Sequence, residues 1–445
     1  MASRWRRAVL VAIPIAACLT LLDPFDVSIV EAQKPNEFYV YVGNLTSSSA
    51  LIAWGTTHGD GNTIGLASKS YGKADLTIGG QTISESDRNW ILVRGLNPDT
   101  VYTYALKVNG KAIGTSTIRT YPVEATRMTF FVIGDWGSGD SNQDRVAKAM
   151  EKEFKSLQST DNPVRFILTT GDNLYGNEVF GILGGGTGDK DSHWDTKFFQ
   201  PYREMLRSIP FYPSLGNHDG DESEHYEDIV VYLDNFFFPD NKPARYYRFG
   251  FADLADFFAL DTSTNRSPIG GPGYGPESKQ FGWFRDEVGR SRQPWKIAYF
   301  HHAVYTAGPR HAPRYPVFEH FIHLFEKYNV PVAFSGHEHN FQVSDPNQTG
   351  GVHYIVSGAG GELRSKDIRR SLESAKMLAW APVNHFLKIV IDGDTMRIYP
   401  ISKEPVEALT KDGKYSLPVV IRRPQTQSRE SAPTQPADRA SAAQE

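Results

Sequence analysis

The sequence predicts an α/β domain preceded by a small all-β sandwich, and three observations lead there. Residues 37–122 carry only strand-length apolar runs, separated by Gly, Asn and Asp turns. From about residue 126 to 403, apolar runs alternate with helical or loop segments. Most of these later runs end in Gly followed by Asp, Asn or His, or directly in His, where open α/β sheets place their ligand sites.

The 445 residues suffice for two or three domains, and 40% hydrophobic with 12% aromatic content supports sizeable cores. With 47 basic and 51 acidic residues, formal net charge is −4, so nothing directs the chain to nucleic acid or a membrane surface. Residues 1–32 read as an export signal. Arg4, Arg6 and Arg7 precede an apolar stretch, Ala8–Leu22, that Pro14 interrupts and that is short for a membrane span. Three outcomes stand: cleavage after Val30-Glu31-Ala32, lipidation at Cys18, against which the apolar Leu19–Leu22 argue, and retention as an uncleaved anchor. Arg6-Arg7 also weakly resembles a twin-arginine export signal. The protein is therefore expected to be periplasmic, secreted or at the cell surface. Cys18 is the only cysteine, so the mature chain is expected to hold no internal disulfide and no thiolate metal ligand.

In chain order, strands are expected at Phe38–Val42, Ser49–Trp54, Trp90–Val93 and Tyr102–Val108. Leu96-Asn97-Pro98-Asp99-Thr100-Val101-Tyr102 resembles the segment before a tyrosine corner in a fibronectin type III sandwich; another kind of small β-sandwich is the alternative. The α/β region, residues 126–403, offers strands at Met128–Ile133, Arg165–Thr170, Phe211–Leu215, Asp256–Leu260, Lys296–Phe300, Val330–Ser335, Tyr354–Ser357 and Phe386–Ile391. Asp144–Leu157 has helical spacing, with Val146, Met150, Phe154 and Leu157 on one side, and Val317–Tyr328 is a second amphipathic helix. The tail, residues 410–445, is rich in Ser, Pro, Gln and Ala and is expected to be disordered.

Five short motifs carry the chemistry: G-D-W-G (Gly134–Gly137), G-D-N-L-Y (Gly171–Tyr175), G-N-H-D (Gly216–Asp219), F-H-H (Phe300–His302) and G-H-E-H-N (Gly336–Asn340). Their donors sort into two sets. Asp135, Asp172, Tyr175 and His339 offer three anionic oxygens and a nitrogen, suited to a highly charged cation. Asp172, Asn217, His301 and His337 suit a divalent transition metal. Asp172 then bridges two ions that clamp the attacking and leaving oxygens of an in-line displacement.

These motifs closely match those of the purple acid phosphatases, within the calcineurin-like metallophosphoesterases. The family's G-D-x-G, G-D-x-x-Y, G-N-H-D/E and G-H-x-H patterns are present in full. Its V-x-x-H appears as Ala298-Tyr299-Phe300-His301, with His301 preferred over His302 as ligand because the residues after it align better. The resemblance covers about residues 126–400 and implies a metallophosphoesterase-type β-sheet sandwich flanked by helices. It implies Fe³⁺ beside Tyr175 and Fe²⁺, Zn²⁺ or Mn²⁺ in the second position. The implied activity is hydrolysis of small phosphate monoesters by a hydroxide that the ions hold. His218 would contact the phosphate and His311 would be a second catalytic histidine, with Asp219 orienting His218. A phosphodiesterase or nucleotidase of the same fold is the first alternative, and a non-catalytic cell-surface binding protein the second.

The remaining candidates read more plainly. His302 is taken as structural, because neighbours on a strand point oppositely. His320 and His323 read as helix-face residues. Gly184–Lys190 superficially resembles a phosphate loop but lacks the Gly-Lys-Ser/Thr ending, and reads as a loop near the site.

Overall fold

The computed structural model describes residues 38–56, 70–175, 194–219, 236, 244–263, 273 and 275–423, with backbone alone at 315–317. The expected export signal and Gly184–Lys190 lie outside these residues. No described helix is long and apolar enough to cross a membrane.

Seven strands come first: β1 (Phe38–Leu45), β2 (Ser49–Thr56), β3 (Ala74–Ile78), β4 (Gln81–Glu85), β5 (Trp90–Arg94), β6 (Val101–Val108) and β7 (Lys111–Arg119). They make two antiparallel sheets, ordered β1-β2-β5 and β4-β3-β6-β7. Trp54, Leu76, Tyr104 and Leu106 are buried between them. β3, β4 and β7 escaped the sequence reading because their outward residues are polar and their runs short. Before β6 the chain turns under Tyr102, whose hydroxyl accepts the Asn97 N–H at 2.8 Å.

The following region continues with β8 (Arg127–Ile133), β9 (Val164–Thr169), β10 (Phe211–Pro213), β11 (Tyr247–Phe251), β12 (Ala255–Ala259), β13 (Trp295–Tyr299), β14 (Val332–Ser335), β15 (Phe341–Ser344), β16 (His353–Ser357), β17 (Met377–Ala381), β18 (Phe386–Asp392), β19 (Thr395–Ile401) and β20 (Val419–Arg422). Its described α-helices are α1 (Ser141–Leu157), α2 (Arg203–Leu206), α3 (Lys279–Arg290) and α4 (Tyr315–Lys327). A six-stranded sheet, β10-β9-β8-β18-β19-β20, faces a seven-stranded one, β11-β12-β13-β14-β16-β15-β17.

Aromatic rings fill the space between the two sheets. Phe130 and Phe166 from the first meet Phe257 from the second, with ring centroids 5.3 and 5.0 Å apart. Such pairs add about 0.5–1.5 kcal/mol each beyond the area they bury. Successive strand residues point to opposite faces. Phe258 therefore turns away from this layer and meets Phe284 of α3 at 5.4 Å, while Phe300, just after β13, stacks on Phe325 of α4. Burial on both faces explains why these strands read as largely apolar runs. α1 begins at Ser141 because the Asp140 side chain caps it, accepting from the Asn142 and Gln143 N–H groups.

The N-terminal sheets share one continuous hydrophobic core with the later region. The Tyr104 hydroxyl donates to the Arg207 carbonyl at 2.8 Å, and Tyr212 donates to Asn44 Oδ1 at 3.1 Å. Tyr39 packs on Phe199 with centroids 5.0 Å apart. The described residues belong to one compact unit.

One expectation is corrected. The tail does not lose its structure at residue 410: β20 pairs antiparallel with β19 at the edge of the six-stranded sheet. Val419 and Ile421 alternate inward against the core while Val420 and Arg422 face out. Four residues give too short an alternation to stand out inside a polar segment.

Parallel pairing of β8 with β9, β9 with β10, β12 with β13, β13 with β14 and β14 with β16 puts the carboxyl ends of these strands on one side. The loops after β8, β9, β10, β13 and β14 are the five motifs.

Candidate metal centre

Asp135, Asp172 and His337 all adopt left-handed backbone conformations, with φ of 53°, 46° and 69°. Such geometry costs non-glycine residues about 1–3 kcal/mol each and concentrates at functional sites. Here it turns the chain sharply off a strand end and aims the side chain across the edge of the sheets. Neighbouring glycines permit the approach. A Cβ at Gly171 (φ 85°) would stand 2.7 Å from the His301 ring, and one at Gly216 would collide with the backbone nitrogen and Oδ1 of Asp172.

Two clusters result, and they share Asp172: Asp172, His301 and His337 form one; Asp135, Asp172 and His339 form the other. In the first, His301 Nε2 lies 3.0 Å from Asn217 Oδ1, 3.1 Å from His337 Nδ1 and 3.2 Å from Asp172 Oδ2. His301 Nδ1 is 2.9 Å from the Thr170 carbonyl, which can only accept, so Nδ1 carries a proton. In the neutral ring Nε2 is then a lone pair directed at other lone pairs. In the second cluster, Asp135 Oδ1, the Tyr175 hydroxyl oxygen and His339 Nε2 are 3.1–3.2 Å apart pairwise. Donors bound at 2.0–2.1 Å to a tetrahedral ion stand about 3.3 Å apart. The convergence of these buried acceptors fits two cations joined through Asp172, as the donor chemistry requires. The Nδ1 bond of His301 is the outer contact that holds a ligating imidazole in orientation.

The charges are strongly coupled. Burial pushes the Asp135 carboxyl up to about 7 in the metal-free protein, with Asp172 adding to the effect. Burial also opposes the Asp172 charge, but His301 and His218 outweigh it and hold that carboxyl well below its usual range. His301 is raised to about 9, its burial overcome by Asp172. Metal binding needs deprotonated ligands, so protons on Asp135 and His301 compete with cations at pH 5 and are lost progressively towards pH 9. The loss of melting temperature on chelation is therefore expected to be larger at pH 8 than at pH 5. Equal losses at both pH values would contradict this coupling.

All seven candidate ligands meet here: Asp135, Asp172, Tyr175, Asn217, His301, His337 and His339. His302 turns aside, with Nδ1 3.0 Å from the Thr262 hydroxyl, which separates the two adjacent histidines. His218 is half-buried at the rim, its ring centroid 4.6 Å from that of Tyr175, and its N–H donates to Asp172. His311 is half-buried with its ring 3.7 Å from the His337 ring, and burial followed by Arg364 lowers its pKa to about 3. Asp219 departs from expectation. Its carboxylate accepts N–H bonds from the backbone of Asn173, Leu174 and Gly216 and from the Asn173 side chain, so it ties two motif loops together instead of orienting His218.

Several supporting residues went unread in the sequence. Buried Glu338 accepts from the Arg310 and His311 N–H groups and so places His311. Gln342 donates to the Thr306 hydroxyl and Gly308 carbonyl, fixing the same loop. Buried Lys197 donates to the Tyr175 carbonyl at 2.7 Å. Glu338 lay inside a recognised motif, so a buried carboxylate between two ligands was a usable signal. Nothing in sequence marks Lys197 or Gln342.

The fold is metallophosphoesterase-like, and the site gathers residues that could hold metal ions. Residues 128–341 match the calcineurin-like phosphoesterase family. The chain is 26% identical over 274 residues to purple acid phosphatase 17 of Arabidopsis thaliana, covering 56% of this chain and 73% of that protein. Probable inactive purple acid phosphatase 27 of the same plant is 23% identical, over 61% of this chain and 49% of that one. A solved purple acid phosphatase from yellow lupin (Lupinus luteus) seeds shares the fold with a TM-score of 0.63 at 16% identity, covering 87% of this chain and 75% of that one. These relationships support a purple acid phosphatase-like metallophosphoesterase, a family that implies a dinuclear metal centre, and with it a metal-dependent phosphatase.

Proposed function

We propose that the protein is an exported acid phosphatase acting on small phosphate monoesters. The observation that carries this reading is the pair of buried donor clusters sharing Asp172, with two imidazoles at their open side. Asp135, Tyr175 and His339 would hold Fe³⁺ together with Asp172; Asn217, His301 and His337 would hold Fe²⁺, Zn²⁺ or Mn²⁺. When bound, such a pair neutralises the phosphoryl charge and makes a nucleophile available from water at mildly acidic pH. The chain's own contribution is positional. His218, fixed by its backbone bond to Asp172, would contact the phosphate oxygens and, when protonated, stabilise developing charge or protonate the leaving alkoxide. His311, placed by Glu338, would line the same side.

The N-terminal sheets support a fibronectin type III-like reading, because the Tyr102 hydroxyl reaches back to the Asn97 backbone as a tyrosine corner does. The N-terminal charged-then-apolar segment supports export.

A panel of p-nitrophenyl phosphate, a phosphodiester and ATP tests the substrate class. Hydrolysis of p-nitrophenyl phosphate in preference to the phosphodiester is expected; preferred diester hydrolysis would favour the phosphodiesterase alternative, and no hydrolysis by the metal-replete protein the binding-protein one. For the ferric assignment, the metal-loaded protein is expected to show a visible phenolate charge-transfer band that Tyr175→Phe abolishes. A colourless, fully active protein holding only zinc or manganese would end that assignment.

A further inference from the structure

Beside the imidazole cluster lies a cavity of about 370 Å³, within the usual small-molecule range of roughly 300–1,000 Å³. Its charged lining is Arg310, Arg364, Lys366, Arg369 and a single carboxylate, Asp367. Arg364 joins this cavity to the ligand loop of the candidate metal centre. Arg364 donates through Nη1 to the His337 carbonyl at 3.1 Å, and through its N–H to the His339 carbonyl at 2.9 Å. Arg310 directly precedes His311, whose ring lies 3.7 Å from that of His337.

The cations here are poorly compensated. Arg364 stands 3.5 Å from Glu338 Oε1, but Arg310, Lys366 and Arg369 form no ion pair among the described residues. Charged side chains scattered over a surface are solvated one by one. Four cations around one concavity reinforce each other's field, and its low-dielectric walls focus that field. Guanidinium forks and ammonium groups match phosphoryl oxygens in particular. Leu363 and Pro309 add apolar wall for the scaffold linking two anionic groups.

Building on the phosphatase reading above, we propose that this cavity receives a second phosphoryl group of the substrate while the first occupies the metal centre. The enzyme would then favour compounds carrying two phosphoryl groups over simple monoesters.

The test compares the metal-replete wild type with Lys366→Gln/Arg369→Gln, both exposed positions outside the donor clusters, and with each single variant. Calorimetric titration with methylenediphosphonate and methylphosphonate reads binding without turnover. The wild type is expected to prefer the diphosphonate at least about ten-fold, and the double variant to lose most of that preference. The singles should lose part of it, and 0.5 M salt should weaken it in the wild type. In parallel, kcat/KM for pyrophosphate and for fructose 1,6-bisphosphate is taken relative to p-nitrophenyl phosphate. A fall in either ratio in the double variant supports the proposal and tells an adjacent second phosphate from a distant one. A diphosphonate preference that is absent, or that persists in the double variant, overturns it. A wild type that hydrolyses no monoester would refute the phosphatase reading instead, with the calorimetry still reading the cavity.

Discussion

Asp172→Asn is expected to reduce phosphatase activity at least about 10³-fold and to leave the protein with less than one tightly bound ion. The substitution keeps shape and volume but removes the charge that both clusters share. Asp172 Oδ2 faces His301, while Oδ1 accepts the His218 N–H at 2.8 Å. An amide bridges two cations poorly and would place an NH₂ group against either a ligand or a donor. His301, raised to about 9 mainly by this carboxylate against its own burial, should titrate closer to its ordinary range in the metal-free variant. Metal analysis with turnover on p-nitrophenyl phosphate checks the first claim, and histidine NMR the second. Retention of two ions and wild-type turnover would show that Asp172 is not the shared ligand.

Asp219→Ala is expected to cost about 3–5 kcal/mol of stability, the largest effect of any substitution outside the ligands. The carboxylate is fully buried and receives four N–H bonds of 2.7–3.2 Å from Asn173, Leu174 and Gly216. Removing it leaves those donors without acceptors in a site that water reaches poorly. In the metal-free protein burial and Asp172 raise the Asp219 pKa to about 8. A raised carboxyl pKa means that the folded state disfavours the charge. This group's contribution is therefore fully present below the unfolded carboxyl range and declines as pH rises through about 8. Bound cations offset the Asp172 charge and should flatten that decline. Denaturant unfolding of the metal-loaded and metal-free forms reads both effects. A loss below 1 kcal/mol would mean that the two loops are held elsewhere.

Much of this molecule could be read from sequence, for identifiable reasons. The buried central strands announce themselves because both faces are covered, so β8, β9, β12, β13 and β14 are largely apolar, broken at most by single charged residues such as Arg165, Asp256 and Lys296. Most ligand motifs were legible because they follow a strand end and a glycine whose missing Cβ the packing demands, as at Gly216, while His301 follows its strand directly. What stayed hidden depends on partners far away in the chain. β11, β15 and β17 gain their place from neighbours across the seven-stranded sheet, not from their own pattern. Asp219 appeared to serve the adjacent His218, yet its burial was decided by N–H groups some forty-five positions earlier. The Glu338 contact with the His311 loop likewise depends on a fold that no local pattern encodes.

The donors of each cluster come from loops distributed between Asp135 and His339, carried on both of the facing sheets. No fragment of the chain owns a complete binding set. A partly folded or nicked molecule would offer only scattered weak donors, so tight ion uptake arrives as the last event of maturation. Metal content would then report how much of the protein had finished folding.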